Sequence, residues 1–231
     1  MIFSSLSPSW FLGFDAILAV LFLLITGVIA LYAFKAYRFT GQRRFLWWAI
    51  GFLSLTAGYA VSAFANYYLY ARIIQAVSSP VPGALDFNWL HFLGHLANTG
   101  CFIGGYLLLA MVMLRFDDTR LITLFTSIVA VLSIAIVLSG YPLLLTLTNV
   151  VLLGHIVFFI WFSPTGKHEQ QPKVLRPTLK RLVAAGFLLL FLGQLAYLLL
   201  PLAESAYVVG NAFELLGFTL LAASMLLILK K

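Results

Sequence analysis

Seven long apolar stretches, almost free of charge, constrain this chain more than any other feature. They cover roughly residues 12–34, 45–70, 89–114, 121–140, 142–163, 182–201 and 206–229. An α-helix needs about 20 apolar residues to cross a bilayer. Lipid offers backbone groups no hydrogen-bond partners, so such stretches span as helices. The expected fold is all-α, a seven-transmembrane helix bundle forming one domain over residues 1–231. Composition agrees: 9% of residues are charged, against about 25% in soluble domains. The formal net charge of +7 does not point to nucleic acid, because the charges sit at membrane edges.

Those edges set an orientation. Lys35, Arg38, Arg43 and Arg44 follow the first span, and Arg115 and Arg120 follow the third. Lys167, Lys173, Arg176, Lys180 and Arg181 follow the fifth, and Lys230 and Lys231 close the sequence. Only Arg72 falls on the opposite side. Basic loops stay in the cytoplasm, which gives an N-out, C-in protein of the plasma membrane. Trp10 and Trp89 then mark the outer interface, and Trp47, Trp48 and Trp161 the inner one. The start, MIFSSLSPSWFLGFDA, has no basic residue before its apolar run. It lacks the charged start of a cleavable signal peptide, so the first span is expected to be retained. The single cysteine, Cys101, excludes an intramolecular disulfide, a cysteine zinc knuckle and a CxxCH haem attachment.

The third span carries the densest polar pattern, WLHFLGHLANTGCFIGG from Trp89 to Gly105. His91, His95 and Asn98 recur at helical spacing, and Phe102 and Gly105 extend the same stripe. Ionisable groups inside a membrane mark function by default, while the bland alternative is a hydrogen bond between helices. The stripe Ser54, Gly58, Ser62 on the second span reads as close helix packing.

Spans two and six share a pattern, and so do spans three and seven. Arg38-Phe-Thr-x-x-Arg43 leads into GFLSLTAG from Gly51, and Arg176-Pro-Thr-x-x-Arg181 leads into GFLLLFLG from Gly186. Gly94-His95-Leu-Ala-Asn98 aligns with Gly210-Asn211-Ala-Phe-Glu214. The reading is a parallel 3+1+3 internal repeat: unit one over about 12–114, a linker helix over about 121–140, and unit two over about 142–229. At about 1.5 Å per residue, Asn98 and Glu214 lie roughly 12–14 Å below the outer surface. His95, Gln194, Asn149 and Asn211 lie at roughly 7–11 Å, and His155 at roughly 20 Å. The polar groups thus gather in the outer half, as an outward-facing pocket would require.

Several chemistries fit. A ligand pocket lined by His91, His95, Asn98, Gln194, Asn211 and Glu214 suits a small polar or amphiphilic molecule. A metal reading takes His91 and His95 with Glu214 or Asp15 as a zinc site, and implies hydrolysis of a lipid amide or ester. Seven-span hydrolases of the alkaline-ceramidase and adiponectin-receptor type share this architecture but place the His pair in the last span. Haem needs two axial His at one depth, which His95 and His155 do not supply. A transporter of the SWEET type shares the 3+1+3 layout but carries a Pro-Gln motif that this sequence lacks. Retinal needs a Lys within the last span, and the first Lys there is Lys230 at its end. A structural subunit of a larger membrane complex is the remaining reading.

The runs YAFKAYRFTGQRRFLWWAIGF, from Tyr32, and AYVVGNAFELLGFTLLA, from Ala206, resemble uncharacterised seven-span membrane proteins of archaea. They are also similar to the seven-span sensor modules that precede some prokaryotic histidine kinases. That resemblance implies a sensor-like role and a separate signalling chain as partner, beside the lipid bilayer and a small ligand.

Overall fold

The computed structural model describes residues 12–78, 88–114, 119–139, 141–162 and 177–229. Those residues fold as seven α-helices: α1 Leu12–Thr40, α2 Arg43–Ser78, α3 Asn88–Leu114, α4 Thr119–Ser139, α5 Pro142–Phe162, α6 Pro177–Leu198 and α7 Ser205–Leu229. No strand occurs among the described residues. Among the described residues, six helices, those other than α4, are long and apolar enough to cross a membrane. The chain is thus a multi-pass helical membrane protein in contact with lipid.

Local chemistry explains the helix ends. Gly41 adopts φ 66, and its N–H donates to the Tyr37 carbonyl at 2.8 Å. This is the left-handed glycine stop that ends a helix at low steric cost. It turns the chain from α1 straight into α2. Pro142 and Pro177 open α5 and α6, where a missing N–H costs nothing. Pro201 lies three residues past the end of α6, and cannot continue a helix. Two helices outrun their apolar stretches. α1 continues to Thr40 and α2 to Ser78, because nothing breaks them until Gly41 and the Ser79-Pro80 step.

Six helices close into a ring. α1 packs between α2 and α7, α5 packs between α6 and α3, and the pairs α2–α3 and α6–α7 complete the circuit. α4 stands outside, mainly against α3. The six ring helices are those long enough to span. We call the upper end the one where the odd-numbered helices begin.

The lower half of the ring is filled by side chains that bury completely. Phe52, Leu55, Leu109, Phe187, Leu190, Phe218 and Leu221 lose all solvent contact. Trp48 meets Phe187 edge-on at 6.1 Å, tying α2 to α6 across the ring. Buried hydroxyls near this level are satisfied locally. Thr56 donates to Thr26 at 3.0 Å, and Ser224 donates to the Leu220 carbonyl.

Two glycine crossings set the helix spacing. A Cβ at Gly105 would sit 3.0 Å from the Gly51 carbonyl oxygen and 2.7 Å from Leu55. A Cβ at Gly217 would sit 2.9 Å from the Gly186 carbonyl oxygen and 2.9 Å from Leu190. Without a side chain at these points, α2 meets α3 and α6 meets α7 backbone to backbone.

Candidate functional site

Glu214 is the acidic group inside the ring. It lies on α7 with only 4% of its surface exposed. Gln194 Nε2 on α6 donates to its Oε1. The Tyr197 hydroxyl donates to its Oε2 at 3.3 Å, and Tyr59 of α2 reaches the same carboxyl. Asn149 Nδ2 on α5 donates to Gln194 Oε1 at 3.4 Å. Side chains of α2 and α6 therefore reach the α7 carboxylate directly, and α5 joins through Gln194. Every hydrogen bond runs the same way, from Asn149 through Gln194 to Glu214. Glu214 is the terminal acceptor of that chain.

Local packing makes the geometry available. Gly193 and Gly210 flank the carboxylate on α6 and α7. A Cβ at Gly210 would meet the Tyr197 ring at 2.5 Å, and one at Gly193 would meet Glu214 Cγ at 3.1 Å. The absent side chains give Tyr197 room to lie against α7 and reach Oε2. Aromatic rings close the surroundings. Tyr59 packs edge-on to Phe102 at 4.9 Å and to Phe218 at 5.8 Å, and Tyr197 lies 5.7 Å from Tyr207.

One oxygen atom in this neighbourhood stands out. Asn149 is 4% exposed, and its Oδ1 makes no hydrogen bond among the described residues. The Tyr106 hydroxyl, fully buried, lies against that of Tyr59. Buried polar atoms without partners are uncommon, because each costs about 1–3 kcal/mol.

The sequence-predicted residues divide into two groups. Gln194 and Glu214 are joined directly. Asn211 is buried on the same helix but donates to the Tyr207 carbonyl at 2.9 Å, within its own turn. Asn98 belongs to another contact, accepting the Ser62 hydroxyl of α2 at 3.0 Å. The stripe containing Asn98, Phe102 and Gly105 faces α2. Phe102 lies against Gly58, and Gly105 against Gly51. That orientation keeps Asn98 out of the Glu214 hydrogen-bond chain. The second-span stripe does the matching job, with Ser54 donating to the Cys101 carbonyl at 2.9 Å.

His95 is half-buried on α3, and the side chain of His91 lies outside the described residues. Asp15 is buried on α1 and interacts with Tyr207. His155 is exposed on α5. No three His, Cys, Asp or Glu side chains gather as a metal site would need, among the described residues. Tyr59 and Tyr106 had no place in the sequence-based site, since aromatic residues in apolar helices read as packing. A hydroxyl on a mid-span aromatic, where Phe would pack as well, is the signal that marks them.

A family profile matches part of the chain. The profile of a family of unknown function, DUF7521, covers residues 16–79, most of α1 and α2. No curated protein and no solved structure matches the chain.

Proposed function

We propose that this membrane protein binds a small polar molecule in the upper half of its helical ring, and that the binding serves a sensory role. One observation carries the reading: a buried carboxylate on α7 held by side chains of α2 and α6 and tied through Gln194 to α5, with the unpartnered Asn149 Oδ1 nearby and a filled apolar floor beneath. A purely structural bundle gains nothing from burying such a group, since well-packed apolar residues stabilise as well or better. In this reading the upper end faces outside. The basic ends of α1, α2 and α6, with exposed Lys35, Arg38, Arg43, Arg44, Lys180 and Arg181, face the cytoplasm. A sensory output would pass to a separate chain.

The two glycine crossings support an arrangement of two parallel three-helix units, with α4 as linker. They pair Gly51 with Gly186 and Gly105 with Gly217. Their register on α3 and α7 is one turn away from the alignment of Gly94 with Gly210. Phe102, not Asn98, then corresponds to Glu214.

Mass spectrometry of small molecules released from gently purified protein tests the ligand. Wild type is expected to release a polar compound that falls about tenfold in Glu214→Gln, the ratio for a loss of about 1.4 kcal/mol. Identical profiles from both proteins would remove the reading.

A further inference from the structure

We infer that the lower corner between α1 and α2 holds the phosphate headgroup of an anionic glycerophospholipid. The inference is independent of the binding role proposed for the Glu214 region. Three features of the corner point to this partner.

The first is uncompensated charge. Lys35 and Arg38 stand near the end of α1, and Arg43 and Arg44 open α2. The tight turn at Gly41 joins them, so four cations share one helical hairpin. All four are exposed, and none forms an ion pair among the described residues. The acidic residues of the seven helices are Asp15 and Glu214, and neither lies at the lower end. A cation is favourable at a helix C-terminus, as Arg38 is, and unfavourable at an N-terminus. Arg43 and Arg44 occupy such an N-terminus with no acidic residue in its first turn. An anion seated at the corner relieves that repulsion.

The second is depth. The apolar run of α1 ends at Phe34, and that of α2 begins at Phe45. At about 1.5 Å per residue, Lys35 and Arg38 lie within about 6 Å of the apolar edge, and Arg43 and Arg44 within about 3 Å. Headgroups occupy a layer of roughly 5–8 Å on each side of the hydrocarbon core. The four cations therefore sit at the level of the lipid phosphates, where basic residues attract an anionic surface.

The third is the flank. On α1, Phe39 is 74% exposed and Phe34 is 45% exposed. Lys35 Nζ lies 5.9 Å from the centroid of the Phe39 ring. Arg38 follows Phe34 by four residues, and Phe39 follows Lys35 by four, so rings and cations interleave on one outer face. Exposed apolar side chains beside basic ones suit the boundary between headgroups and acyl chains. A free phosphate leaves those rings uncovered, whereas a lipid covers them.

The start of α6 supplies an internal control. Lys180 and Arg181 are also exposed, but α6 packs against α5 and α7 and touches neither α1 nor α2.

Native mass spectrometry of the full chain in neutral detergent tests the inference. Phosphatidylglycerol and phosphatidylcholine with identical acyl chains are added in equal amounts. Phosphatidylglycerol adducts are expected to exceed phosphatidylcholine adducts about tenfold. Lys35→Gln combined with Arg38→Gln brings that ratio below about threefold. Lys180→Gln combined with Arg181→Gln removes the same charge elsewhere, and leaves the ratio within about twofold of wild type. These side chains are exposed, so both double variants keep the fold. Equal adducts in wild type, or a ratio that survives Lys35→Gln with Arg38→Gln, overturns the inference. So does an equal fall in both double variants, which would assign the preference to net charge alone. Glycerol 3-phosphate carries a phosphate without the acyl chains, and in large excess is expected to leave the phosphatidylglycerol adducts unchanged. Displacement by it would mark a site for free phosphate and overturn the lipid assignment.

Discussion

The α2–α3 and α6–α7 crossings are built alike and used differently. In each, two glycines meet backbone to backbone, with a leucine four residues on packed over each glycine. Seven residues beyond the first glycine of each pair, Gly58 faces Phe102 and Gly193 faces Glu214. A turn further, Ser62 holds Asn98 in one crossing, and Tyr197 lies over Gly210 in the other. The scaffold is constant; the polar content differs. In the α2–α3 crossing Ser62 pairs with Asn98 and Ser54 with the Cys101 carbonyl, which reads as structure. The α6–α7 crossing gathers a carboxylate, an amide and a phenol into one hydrogen-bonded group. Close backbone approach is therefore the fixed requirement, and chemistry is what the side chains above it add.

The strongest way to break this contrast is to move the charge. Phe102→Glu puts a carboxylate into the α2–α3 crossing, beside Tyr59 but without counterparts of Gln194 and Tyr197. It is expected to destabilise by about 3–5 kcal/mol, as an uncompensated buried charge does, and to show as loss of monodisperse protein on size exclusion. Wild-type behaviour would mean that this crossing hides donors of its own. Next come the shared glycines. Gly105→Ala and Gly217→Ala each push a methyl against a backbone oxygen and a leucine. Each is expected to cost about 1–3 kcal/mol, read as matched drops in thermal midpoint. A drop in one alone would show that the two crossings are not equivalent.

Gly210→Ala acts only on the α6–α7 side, by displacing the Tyr197 ring. The expected loss is about 1 kcal/mol, the worth of the Tyr197 hydrogen bond. A double-mutant cycle with Tyr197→Phe checks it, since the two changes should not add. The smallest effect belongs to Ser62→Ala, which removes the Asn98 contact. Interhelical hydrogen bonds in membranes average about 0.6 kcal/mol, so denaturant titration should place this variant within about 1 kcal/mol of wild type.

Much of the fold could be read in the sequence. Apolar length marked the helices; the roles of Gly41 and Pro177 at helix ends emerged with the structure. Helix extensions such as α2 to Ser78 were less legible, because a helix outside lipid continues until something breaks it. Gln194 and Glu214 were legible as polar residues where lipid forbids them. Their partnership with Tyr59 and Tyr197 was not, since it depends on how four helices rotate about their axes. His95 and Asn98 show the converse. Their spacing on α3 is correct for a shared face, but the small residues of α2 draw that face into packing, as Asn98 shows.

The floor of buried rings and leucines beneath Glu214 carries a consequence for electrical behaviour. Phe52, Phe187, Phe218, Leu190 and Leu221 fill that level without access to solvent. An ion moving past them would shed its hydration with nothing to replace it, a barrier of order tens of kcal/mol. A bilayer carrying this protein should therefore stay silent under voltage clamp. On the binding role proposed above, the bundle is a socket with a sealed base, and an occupant would leave by the way it came.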